Sequence, residues 1–128
     1  MSDIRPKNKR LAIIGSDKEC PYWKESGWKE SVDAYRGHFI TDYGRWRGVI
    51  HKSFFGNYAF YIFDPPEALR NSDHWPCFTN KGKGKYSIHF SKKPDDISSG
   101  IMIVEQLISE SFNKERSRGN EAIGFYTA

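Results

Sequence analysis

No segment of this chain approaches the roughly 18 consecutive apolar residues that a membrane-spanning helix needs. Near the start only Leu11, Ala12, Ile13 and Ile14 form an apolar stretch, short of the about 7 to 15 apolar residues of an export signal. These two absences make the cytoplasm the expected compartment and give no reason to expect a membrane partner. Cysteine is scarce too, with only Cys20 and Cys77 in 128 residues. A pair so far apart in a chain without an export signal is expected as two reduced thiols. In "HWPC", His74 and Cys77 stand three apart, a spacing that can share a metal ion. Closing a zinc site would need Cys20 and a further ligand such as His38, and structural zinc normally shows two close ligand pairs. The expectation is therefore no metal and no cofactor.

What the chain does have in quantity is large rings and basic residues. Nine Phe, seven Tyr and four Trp supply enough apolar volume for a core and exclude a wholly disordered chain. One domain of 128 residues buries roughly 60 to 70% of its unfolded surface, so it folds without staples. Twenty Lys and Arg against sixteen Asp and Glu leave a net charge of +4. That balance permits contact with nucleic acid but does not by itself imply it.

Residues 1–9 are polar and basic and read as a flexible tail, and residues 10–128 read as a single α+β domain. "RLAIIG" predicts a short buried strand. "SGWKESVDAYRG" predicts a helix, with Ser26 as N-cap, Trp28, Val32 and Tyr35 on one face, and Gly37 at its end. From His38 the period changes to two, and "HFITDY" and "WRGVIHKSF" read as strands joined around Gly44. Gly56-Asn57 marks a hairpin turn, followed by a central strand from Tyr58 to Phe63. "DPPEALRN" predicts a short helix with Asp64 as N-cap and Pro65 at the first position. Ile97, Ile101, Val104, Ile108 and Phe112 recur at helical spacing and predict a long helix near 95–114. Asp95 and Asp96 stand at its start, while Glu105 and Glu110 read as a solvated flank. "SRGNE" then reads as a loop and "AIGFYTA" as an edge strand. The fold class expected is α+β: an antiparallel sheet of about four to five strands near 38–90, with the long helix packed on one face.

The segment "NKGKGKYSIHF", Asn80 to Phe90, has lysine and glycine alternating into an apolar run. It lacks the spacing of a Walker loop or a dinucleotide fingerprint, and no helix starts behind it to receive a phosphate. As an extended strand it places Lys81, Lys83, Lys85, Ser87, His89 and Ser91 on one face, and Tyr86, Ile88 and Phe90 on the other. The earlier strand separates in the same way, with Arg47, Val49, His51 and Ser53 opposite Trp46, Gly48 and Ile50. Between them the central strand offers either Tyr61 and Phe63 or Tyr58 and Phe60 to the same open face. Rings flanked by Arg and Lys are what a single-stranded nucleic acid needs, stacking surfaces beside phosphate partners. The leading expectation is thus a non-catalytic binding module contacting single-stranded nucleic acid through Arg47, Lys81, Lys83, Lys85, Tyr61 and Phe63. A solvated sheet face has a similar composition and competes with that expectation.

Two alternatives stand beside it. "IHKS" and "IHFS" repeat an Ile-His-x-Ser frame at Ile50–Ser53 and Ile88–Ser91. Histidines His51 and His89, each with a hydroxyl two residues on (Ser53 and Ser91), would suit acid–base cleavage of a phosphodiester without metal. An adaptor that docks another protein is the third class, its anchors being Trp23, Trp28, Trp46 and Trp75 near element ends. Nothing in the sequence indicates an oligomeric state.

Overall fold

The computed structural model describes residues 21–53 and 55–127, with residues 117–127 described as backbone alone. The expected tail, the "RLAIIG" strand and Cys20 lie outside the described residues.

The fold is α+β. Six strands form one antiparallel sheet: β1 (Lys29–Glu30), β2 (Ala34–Thr41), β3 (Gly44–Lys52), β4 (Tyr58–Phe63), β5 (Phe78–Gly82) and β6 (Lys85–Ile88). Their order across the sheet is β1-β2-β3-β4-β6-β5, so among the described residues β1 and β5 are the edges. Three α-helices accompany it among the described residues: α1 (Tyr22–Glu25), α2 (Glu67–Arg70) and α3 (Ile97–Thr127).

Period-two alternation sorts the sheet into two faces. Tyr35, Ile50, Phe60, Ile88 and Phe78 pair across five strands and are all buried. With Phe39 and Ile62 they meet Ile97, Ile101, Val104 and Ile108 from α3 in one hydrophobic core. Tyr86, Phe90 and Phe112 pack at its margin. The helical stripe and its sheet partners are therefore where the apolar spacing put them. Asp96 starts α3, its Oδ1 accepting the Ser99 N–H at 2.8 Å.

Several local expectations are corrected. Residues 26–37 do not form a helix; they are a turn, β1 and the start of β2. Val32 is 96% exposed at the turn between those strands, while Trp28 and Tyr35 are buried. Gly37 is not a helix end but a seat for the Trp28 indole, since a Cβ there would lie 2.6 Å from the ring. Gly48, in the neighbouring strand, leaves room for the same ring, and Trp28 Nε1 donates to the His38 carbonyl at 3.0 Å.

Asp64 caps no helix. It holds a φ of +47°, Pro66 precedes α2 without a side-chain cap, and the Asp64 N–H donates to the Gly84 carbonyl at 2.8 Å. The backbone of α3 stays helical through Thr127, so neither the "SRGNE" loop nor a final strand forms. Glu105 is not on a solvated flank but is 4% exposed. Its Oε1 accepts from Tyr22 Oη at 2.6 Å and its Oε2 from the Ile40 N–H at 2.8 Å. The physical reason is that two-residue β1 pairs only with Tyr35 and Arg36, so the far half of β2 turns to a side chain for an acceptor.

Candidate nucleic-acid interface

The face of the sheet away from α3 is built by the other half of the alternation. Lys29 pairs with Arg36, Arg36 with Val49, Val49 with Tyr61 and Tyr61 with Ser87, making one row across five strands. A second row runs from His38 to Arg47 and from Phe63 to Lys85. These residues point away from the core because their strand neighbours point into it. Of the two aromatic pairs offered by the central strand, Tyr61 and Phe63 occupy this face, while Phe60 is in the core.

A trough of about 650 Å³ crosses this surface. Lys29, Arg36, Arg47 and Lys85 supply its positive charge, and His38, His51 and Phe63 also line it. The Arg47 guanidinium carbon stands 3.8 Å from the Phe63 ring centroid, and Lys85 Nζ stands 4.4 Å from that of Tyr61. Lys85 also lies 6.0 Å from Phe63, so the two cations and two rings form one interleaved group. Such contacts are worth about 0.5–1 kcal/mol each at exposed sites.

Among the described residues one carboxylate lines the trough, Glu30. Lys52 Nζ donates to its Oε2 at 2.7 Å and Tyr35 Oη donates to the same atom at 3.1 Å. Those two hydrogen bonds, Lys52 first, hold the Glu30 carboxyl below the usual glutamate range. Its charge is thereby directed toward Lys52 and away from an incoming anion. Arg36 Nη1 donates to Ser31 Oγ at 3.0 Å and lies 3.9 Å from Asp33 Oδ1, an exposed and weak pairing.

Of the residues singled out in sequence, Arg47, Lys85, Tyr61 and Phe63 come together. Lys81 and Lys83 do not join them. The chain reverses between β5 and β6, with Lys83 at the turn (φ +56°) and Lys81 beside an irregularity in edge strand β5. Both are exposed and neither lines the trough. Residues 81–91 are thus a hairpin and its exit, not one extended strand. Lys29, Arg36 and His38 belong to the surface and were hidden in the expected helix or beside it. Strand alternation from Arg36 through His38 was the signal that could have found them.

His51 lines the trough, its ring 5.4 Å from Tyr61 in an edge-on contact. It pairs in register with Ala59. His89 is the residue after β6; it is exposed, and its N–H donates to the Cys77 carbonyl at 2.8 Å. Phe60 pairs with Ile88 at the end of the β4–β6 ladder, and a continuation of that register would set the next residue, His89, opposite Ala59. Ser53 is occupied locally: its Oγ accepts the Phe55 N–H at 2.9 Å and its N–H donates to the Asn57 carbonyl at 2.8 Å, closing the β3–β4 turn. Ser91 is exposed in the loop before α3.

His74 Nε2 stands 3.5 Å from Glu110 Oε1, and Cys77 is a free, half-buried thiol. Among the described residues, no three or more His, Cys, Asp or Glu side chains are grouped to hold a metal ion. Trp23 and Trp28 are buried in the core, and Trp46 and Trp75 pack against it. Among the described residues no helix is long and apolar enough to cross a membrane. Comparison of the chain with protein-family models, with curated proteins and with solved structures finds no match in any of the three.

Proposed function

We propose that this protein binds single-stranded nucleic acid across the open face of its sheet. The observation that carries the proposal is the interleaving of Arg47 with Phe63 and of Lys85 with Tyr61 on one sheet face, where Arg47, Phe63 and Lys85 line the trough. A single strand presents two chemistries at alternating positions, flat bases and anionic phosphates. Each ring offers a base a stacking surface worth about 1–3 kcal/mol. Each cation, resting on a ring in the free protein, moves a short way to a phosphate and leaves the ring face to a base. The cation–π contact given up is the weaker of the two interactions. Stacking on a ring does not depend on base identity, so binding tolerates any sequence.

Titration of fluorescently labelled single-stranded oligonucleotides at two salt concentrations tests this directly. The cations Lys29, Arg36, Arg47 and Lys85 line the trough. If all engage phosphates, log affinity falls with log salt at a slope near −3, from roughly −0.7 per contact. No binding at low salt leaves the surface an ordinary solvated sheet face.

A further inference from the structure

We propose that His51 and His89 form an acid–base pair that cleaves RNA lying on the open face, without a metal ion. This inference rests on the binding function proposed above and names its substrate class. It starts from two observed pairs, His51 with Ala59 and Phe60 with Ile88, and from His89 as the residue that follows Ile88, one step past the end of the β6 ladder. Two strand spacings separate the histidines, about 10 Å between their Cα atoms. Ala59, exposed and with only a methyl group, floors the gap and leaves it open for a phosphate. The edge-on contact with Tyr61 holds the His51 ring beside the next row of the sheet. Lys85, from the row beyond, holds its Nζ 4.4 Å from the centre of the same tyrosine ring, so one ring stands between this cation and the gap.

Histidine is the side chain that serves in either protonation state near neutral pH. In the proposed step one neutral imidazole takes the proton of a ribose 2′-hydroxyl. The 2′-oxygen attacks the adjacent phosphorus, and the bond from phosphorus to the 5′-oxygen breaks. The other imidazole, protonated, gives its proton to that leaving oxygen. The products are a 2′,3′-cyclic phosphate and a free 5′-hydroxyl, and no oxidant, reductant or further reactant is consumed. Lys85 stabilises the extra negative charge of the pentacoordinate phosphorane. The Ser53 and Ser91 hydroxyls take no part.

Two labelled 12-nucleotide strands of one sequence, all-ribose and all-2′-deoxy, are incubated with excess protein in the presence of a chelator. Binding of the deoxy strand is measured first, and its absence at low salt sinks the binding proposal and this one together. If it binds, the RNA strand should be cut with a bell-shaped pH profile to a cyclic-phosphate end, and the deoxy strand should stay intact. Rates are read with all strand bound, so differences in affinity drop out. His51→Ala and His89→Ala should each slow cleavage by about 100-fold or more. His51→Gln replaces the first variant if it fails to fold. Ala59→Leu, which fills the floor of the gap, should slow cleavage while thermal unfolding stays in place. RNA that is bound but uncut between pH 5 and 8 overturns the inference and leaves the binding proposal standing. Cleavage that persists in the double histidine variant overturns it as well.

Discussion

Arg47 and Phe63 are stacked, the guanidinium carbon 3.8 Å from the centre of the ring. The pair couples charge to a flat apolar surface on adjacent strands, and the two members should fail in different ways. Phe63→Ala should cost about 1–3 kcal/mol of oligonucleotide affinity with little change in salt slope. Arg47→Ala or Lys85→Ala should flatten the slope by about 0.7 each. Lys81→Ala and Lys83→Ala should change it far less, because both lysines lie outside the trough. Fluorescence titration of these variants at several salt concentrations separates the three behaviours. Equal effects from Lys83 and Lys85 would show that the strand follows the hairpin instead of the trough.

Glycine alternates with lysine in this hairpin for reasons of backbone geometry. Gly84 has a φ of +79°, accepts the Asp64 N–H, and has no room for a Cβ beside the Asp64 carboxylate. Gly84→Ala should therefore destabilise the fold by more than about 1 kcal/mol, read as a lower thermal midpoint. Lys83 sits at φ +56° with an ordinary side chain, so Lys83→Gly should not lower the midpoint and tests the same turn with the opposite expectation.

The Lys52–Glu30 pair carries a pH dependence whose sign is fixed. Its hydrogen bonds lower the Glu30 pKa in the folded protein, so the unfolded chain binds a proton at higher pH than the folded one does. The contribution to stability is present above the ordinary glutamate range and is lost as pH falls through the folded value. An NMR titration of the Glu30 side chain should find its midpoint below the ordinary range. Lys52→Ala should return it toward that range, and an unchanged midpoint would show that the Lys52 contact does not persist in solution.

Much of this architecture was legible because half-buried strands repeat every two residues. Tyr58–Phe63 is a strand with the predicted ends, and the alternation around Ile50 sent Arg47 to the open face. The same rule failed from Ser26 to Gly37. Trp28 and Tyr35 are seven apart and both reach the core, which mimics a helical stripe, yet they reach it from either side of a turn at Val32. That error hid Lys29 and Arg36, and with them half the charge of the trough. The open site was therefore readable only where strand assignment was right. In the Gly-Lys segment the reverse happened: a single extended strand put Lys81 and Lys83 beside Lys85, whereas the paired glycines mark a chain reversal.

Glu105 shows a role that no local pattern could reveal. On the helix it lies one residue from the apolar stripe, and its burial depends on where β1 ends. Its carboxylate takes hydrogen bonds from Tyr22 Oη and from the Ile40 N–H, tying α1 and β2 to α3. Glu105→Leu keeps the packing volume but leaves the Ile40 N–H without this acceptor. Ile40 is 40% exposed, so water can replace part of the lost bond and the cost should fall below the about 1–3 kcal/mol of a fully buried unsatisfied donor. The variant should still unfold at lower denaturant with an unchanged slope. Glu105→Gln preserves one carbonyl oxygen, which can still accept from Ile40, and should lose less. Tyr22→Phe removes one donor but keeps the carboxylate and its bond from the Ile40 N–H, and should be milder still. The order Leu, then Gln, then Phe is the expected ranking of destabilisation. If Glu105→Leu is as stable as the parent, the edge of β2 finds its acceptor elsewhere and Glu105 is not what holds it.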